Sequence, residues 1–173
     1  MRGCLSLPLD LQLGCVVELE AMNTLYTFGY QNAKNPESLL ALAEKREAVF
    51  ADARFSPNSR NPMWGRARLA LVLGERYVHV KALGNRNYKG GPIDLLDPDA
   101  GAEQISALLE RSNVILLCTC WNVDTCHRKT AAEYVASKLG CHVVHLGREE
   151  APVIGGLIKQ DRAPKGPRQL NLL

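Results

Sequence analysis

From residue 23 onward, five short apolar runs alternate with segments that carry helix signals, and this alternation narrows the possible folds more than any other feature of the chain. The runs are Leu25 to Phe28, Ala48 to Ala51, Tyr77 to Val80, Val114 to Cys118 and His142 to Leu146. After the first, Asn35-Pro36-Glu37 predicts a helix to about Arg46, with Asn35 as N-cap and Pro36 at the first helical position. Further helices are predicted from about Gly65 to Leu73, Pro98 to Arg111 and His127 to Leu139. Parallel strands need crossover connections of helical length, and strands covered on both faces lose their polar alternation. The expected fold is therefore α/β, a doubly wound, mostly parallel five-stranded sheet with helices on both faces.

The chain has 173 residues, of which 46% are apolar and 23% charged, so one compact domain is expected rather than disorder or a membrane bundle. Residues 23–150 are assigned to that domain, residues 1–22 to an N-terminal extension and residues 151–173 to a basic tail rich in Gly and Pro. Pro8, Asp10, Glu18 and Glu20 interrupt the apolar run a secretory signal requires, so the first 22 residues read as an added edge strand or as an upstream start ahead of Met22. Three of the six cysteines fall within residues 118–126, which marks a local site rather than a disulfide framework. A cytoplasmic protein without a membrane segment is expected.

In an open parallel sheet, functional side chains gather beyond the carboxyl ends of the strands. Those loops carry Tyr30 after the first run, then Asp52, Arg54, Ser59 and Arg60 after the second. The third contributes His79, Lys81 and Asn85, and the fourth contains Cys118, Cys120, Cys126, His127 and Arg128. Asp52 reads as a general base or as the ion-pair partner of Arg54, while Arg54 and Arg60 read as cationic clamps. The helix expected to begin at His127 offers unpaired N–H groups and a partial positive charge, which suits a phosphate and lowers the pKa of a neighbouring thiol. Arg128 would add a bidentate donor for the same phosphate.

On this reading Asp52, Cys118, Cys126 and His127 are the candidate catalytic residues. Tyr30, Arg54, Ser59, Arg60, His79, Lys81, Asn85 and Arg128 are the candidate phosphate or nucleic-acid ligands. The cysteine spacing does not fit a phosphatase loop, in which an arginine follows the cysteine by six positions. Cys118, Cys120, Cys126 and His127 together could instead hold a metal or serve redox chemistry, although C-x-C-x5-C-H is not a standard zinc pattern. Between Arg54 and Lys89, eight basic residues stand against Glu75 alone, interleaved with Trp64, Tyr77 and Tyr88, a composition suited to phosphates and bases.

The segments YTFGY, DARFSPNSRNP, YVHVKALGN and LLC…CHRKTAAEYV, in that order over residues 24–146, resemble the domain-of-unknown-function 488 family. The resemblance implies an α/β fold and a shared site at Asp52, Arg54, Arg60, Cys118, Cys126, His127 and Arg128. Ala53 departs from a usual valine, Gln31 follows Tyr30, and Cys120 and Trp121 stand where acidic residues are commoner. The last five residues, QLNLL, resemble the short peptide by which bacterial repair and replication proteins dock on the sliding clamp, which implies that Gln169, Leu170, Leu172 and Leu173 bind a partner.

The expected function is that of an enzyme, a hydrolase or transferase, acting on a nucleotide or nucleic acid, with a role in DNA repair or DNA metabolism. A non-catalytic nucleotide or nucleic-acid binding module and a metal or redox protein are the alternatives. The residues name no cofactor.

Overall fold

The computed structural model describes residues 23–151. The N-terminal extension, the tail from residue 152 and the clamp-like Gln169 to Leu173 lie outside the described residues. The elements are β1 (Leu25–Gly29), α1 (Pro36–Lys45), β2 (Ala48–Asp52), α2 (Arg66–Leu73), β3 (Tyr77–His79), α3 (Pro98–Leu109), β4 (Asn113–Cys118), α4 (His127–Leu139) and β5 (Val143–His145). The five strands form one all-parallel sheet in the order β3-β2-β4-β1-β5.

Local chemistry sets the helix boundaries. Asn35 caps α1 by accepting from the Ser38 backbone N–H at 2.9 Å, with Pro36 at the first position. Asp97 caps α3 in the same way through Ala100 at 3.1 Å. Helix α4 ends at Gly140, whose φ of 66° is the left-handed conformation that glycine adopts freely.

The period-two pattern of β4 divides the core. Val114 and Leu116 pack with Ala102 and Ile105 of α3 and with Ala131, Ala132 and Val135 of α4. Ile115 and Leu117 face the other way, onto Leu39 and Leu42 of α1 and Leu69 and Leu73 of α2. Each leucine or isoleucine buried in this way stabilises the fold by about 1.5–3 kcal/mol. Connections from β1 and β2 run toward the β3 edge and place α1 and α2 on one face. Those from β3 and β4 run toward the β5 edge and place α3 and α4 on the other. This reversal opens a crevice at the carboxyl ends of β2, β4 and β1. No helix among the described residues is long and apolar enough to cross a membrane.

Candidate functional site

Strand β4 lies between β2 and β1, so Asp52, Cys118 and Gly29 end side by side, with Asp52 in register with Leu117 and Gly29 with Cys118. Above them is a cleft of about 400 Å³ whose floor includes Arg54, Cys118, Cys120 and His127 and whose wall includes Phe55, Asn85 and Tyr88. No acidic residue is among the described residues that line it. Phe55 and Tyr88 stack at 5.7 Å, and the Lys81 ammonium, outside the cleft lining, lies 5.1 Å from the centre of the Phe55 ring.

The cysteines form the chemical centre. Cys118, Cys120 and Cys126 are free thiols whose sulfurs all lie within 4.8 Å of one another. Cys118 and Cys126 are buried, whereas Cys120 is half-buried. Positions i and i+2 leaving a strand point the same way, which brings Cys118 and Cys120 together, and Cys126 joins them as the N-cap residue of α4. No side chain caps that helix and no acidic residue stands in its first turn, so its positive end faces the sulfurs.

His127 sets the proton arrangement. Its Nε2 donates to the Ala53 carbonyl at 2.8 Å, since a carbonyl can only accept, and Nδ1 faces the Cys118 sulfur at 3.5 Å. Burial alone would lower the pKa of this imidazole. The nearby Cys126 sulfur and the bond to the Ala53 carbonyl outweigh burial and raise it. Hydrogen bonds from the Cys118 and Cys126 thiols pull the Cys120 thiol down to about 2 against the effect of burial, and the charges of His127 and Arg128 add to this. Cys118 is pushed up to about 11, chiefly through its hydrogen bond with Cys120, and Cys126 is pushed upward by its bonds with both neighbours and by burial. Of the three thiols, Cys120, the most exposed, is the one whose ionisation the cluster favours.

Several residues take roles other than those their types predict. Asp52 is fully buried, with both oxygens engaged: Oδ1 accepts from Arg54 Nε at 2.8 Å, and Oδ2 from Arg54 Nη2 at 2.6 Å and from the Tyr77 hydroxyl at 2.7 Å. No oxygen is left to take a proton from substrate, so Asp52 positions Arg54 instead of acting as a base. Burial would lower the Arg54 pKa, but the bond to and charge of Asp52 outweigh it and raise it. Arg54 Nη1 also donates to the Trp64 carbonyl at 2.8 Å, which fixes the guanidinium at the cleft floor.

Arg128, expected to bind phosphate, is only 1% exposed and donates to the carbonyls of Cys120 and Trp121. It is absent from the ion pairs among the described residues, and its buried Nε has no hydrogen-bond partner. This cation therefore acts from beneath the cysteine loop, where a Cβ on Gly29 would collide with it and with the Cys120 carbonyl. Cys126, 1% exposed, is too deep to attack substrate. His79 is half-buried, and its Nε2 lies 2.9 Å from the Arg54 carbonyl, away from the cleft. Tyr30, Ser59 and Arg60 line a second, shallower groove beyond the stacked Tyr30 and Trp64 rings. Asn85 does line the cleft, and its side-chain oxygen accepts from the N–H groups of Asn87 and Asp94, which shapes the wall.

Residue types point to Cys120 only in the metal alternative and do not point to Phe55, to Tyr77 as a partner of Asp52, or to the Ala53 carbonyl. The i, i+2 spacing after a buried strand is a signal for Cys120, and the aromatic beside Arg54 is one for Phe55. A backbone carbonyl leaves no signal. No family model, curated protein or solved structure matches the chain.

Proposed function

We propose that the protein is a cysteine-dependent enzyme, a hydrolase or transferase, acting on an anionic nucleotide-type substrate. The observation that carries this reading is the half-buried Cys120 sulfur at the floor of a cleft that has Arg54 and His127 on its surface and no acidic lining residue among those described, with its neighbours lowering its pKa. Phe55 and Tyr88 offer faces for a base, while Arg54 and Lys81 offer charge to a phosphate.

The Cys120 sulfur forms a bond to the electrophilic centre of the substrate as the bond to the leaving group breaks. The leaving group departs with that electron pair and takes a proton from the His127 imidazolium. Water, or another acceptor hydroxyl, then displaces the sulfur, gives its proton to His127 and restores the thiolate. The buried thiols and Arg128 hold the negative charge on Cys120 between turnovers.

The resemblance of YTFGY, DARFSPNSRNP, YVHVKALGN and LLC…CHRKTAAEYV to the domain-of-unknown-function 488 family is carried into this reading. The clamp-like tail supports a role in DNA metabolism, and deletion of residues 169–173 should abolish capture by a bacterial sliding clamp. The deciding experiment is alkylation of the full chain by iodoacetamide at neutral pH, with the modified peptide identified by mass spectrometry. Rapid labelling of Cys120 that nucleotides suppress is the expected result. Labelling that nucleotides leave unchanged would overturn the substrate class.

A second reading, a thiolate-bound metal, is favoured by the mutual approach of the three sulfurs and by the Nε2 bond of His127 to a carbonyl, which is how metal-binding imidazoles are commonly oriented. Elemental analysis of purified protein separates the two: about one equivalent of zinc, lost in Cys120→Ser, would replace the nucleophile reading.

A further inference from the structure

Trp121 is 67% exposed, yet its backbone is tied down from three sides. Its N–H donates to Gln31 Oε1 at 3.2 Å, and its carbonyl accepts from Asn32 Nδ2 at 3.1 Å and from the buried Arg128. A large aromatic held this firmly and left open to water is a platform rather than a stray core residue.

Its location gives the platform meaning. On one side it follows Cys120, at the floor of the cleft; on the other its backbone joins Gln31, which lines the second groove. That groove includes Lys34, Ser59 and Arg60, and Thr119 borders both it and the cleft. Lys34 and Arg60 are exposed and take part in no ion pair among the described residues. The far side of the cleft carries Tyr88, itself 53% exposed. An aromatic face, then the Cys120 sulfur, then a second aromatic face beside two cations without an ion pair among the described residues form a path longer than one nucleotide needs.

We infer that the substrate is a single-stranded nucleic acid, with one nucleotide in the cleft, the next base stacked on Trp121 and the following phosphates held by Arg60 and Lys34. This rests on the nucleotide reading of the cleft. Stacking is indifferent to base identity, since every base has a π face, so little sequence preference is expected.

The test measures binding of fluorescein-labelled eight-nucleotide oligothymidylate and oligouridylate to the full chain by anisotropy, beside suppression of Cys120 alkylation by thymidine monophosphate. Trp121→Ala should weaken oligonucleotide binding roughly tenfold, while Trp121→Phe keeps most of it. The Arg60→Ala, Lys34→Ala double variant should flatten the dependence of log affinity on log salt by roughly 1.4, or about 0.7 for each phosphate that is no longer neutralised. Thymidine monophosphate should suppress alkylation equally in all three variants. The basic tail is common to every variant, so the differences report on the groove.

The inference is overturned if the monophosphate suppresses alkylation but neither oligonucleotide binds more tightly than it does, or if Trp121→Ala and the double variant bind oligonucleotide like wild type. In those cases the nucleotide reading stands. If neither monophosphate nor oligonucleotide affects Cys120, both fall together.

Discussion

His127 donates its Nε2–H to the Ala53 carbonyl at 2.8 Å across 74 residues of sequence, and this bond turns Nδ1 toward the Cys118 sulfur. One backbone oxygen at the end of β2 thereby selects the imidazole tautomer and aims it at the cysteine cluster. His127→Gln can keep a donor to Ala53 but loses the positive charge beside the sulfurs. Because the Cys118 and Cys126 thiols still hold Cys120 ionised, its alkylation at about pH 6 should stay within about threefold of wild type, with the melting temperature little changed. Rates measured by quenched labelling and peptide mass spectrometry check this.

The pH profile of Cys120 follows from its partners. An acid held at about 2 is already ionised throughout the neutral range, so its alkylation rate should stay flat from about pH 5 to pH 8. An ordinary thiol would lose roughly tenfold per unit below its pKa. Cys126→Ser substitutes a hydroxyl for a thiol that donates to Cys120; Cys126→Ala removes the donor outright. Cys126→Ala should raise the Cys120 pKa and restore a slope, with the rate at pH 5 falling first.

Asp52 and Arg54 form a buried pair, with side chains 0% and 6% exposed. Removing one charge of such a pair leaves the other without compensation, so Asp52→Asn should destabilise the protein by about 3–5 kcal/mol. Tyr77→Phe removes a single hydrogen bond to the same carboxylate and should cost only about 1 kcal/mol. The phenol itself is held above its ordinary pKa by burial and by the adjacent Asp52 charge, so it stays a donor through neutral pH. Urea denaturation of the two variants measures both values, and equal losses would refute the assignment of Asp52 to positioning.

Gly29 permits the cysteine loop to cross the end of β1. Gly29→Ala places a methyl group against the Cys120 carbonyl and the buried Arg128 guanidinium. A loss of about 1–3 kcal/mol is expected from overpacking. Because the displaced groups hold Cys120, its alkylation rate should fall as well. Gly74→Ala is the control: no atom lies near its added Cβ, but its φ of 55° strains the backbone, so stability should drop while Cys120 reactivity is unchanged.

Much of this architecture was legible along the chain because its causes are local. Asn35-Pro36 starts α1 where predicted, since a side-chain oxygen three residues before an amide and a fixed proline φ need no distant partner. The apolar run Val114 to Cys118 reads as a covered strand, and β4 is the central strand of the sheet. The polar residues at strand ends were also readable, because a parallel sheet sends them all to one edge.

The roles of those residues were not readable. Asp52 looks the same in sequence whether it is a base or a clamp, and only the approach of Tyr77 from β3 and the folding back of Arg54 settle which. Arg128 looks like a phosphate ligand until β1 is seen to run beside β4, which puts Gly29 over it and turns its guanidinium to the Cys120 carbonyl. Residue types and local spacing therefore determine elements, caps and the edge at which chemistry collects. Strand order depends on free-energy differences summed over the whole core, and that order determines which side chain is buried, which is paired and which sulfurs face the cleft.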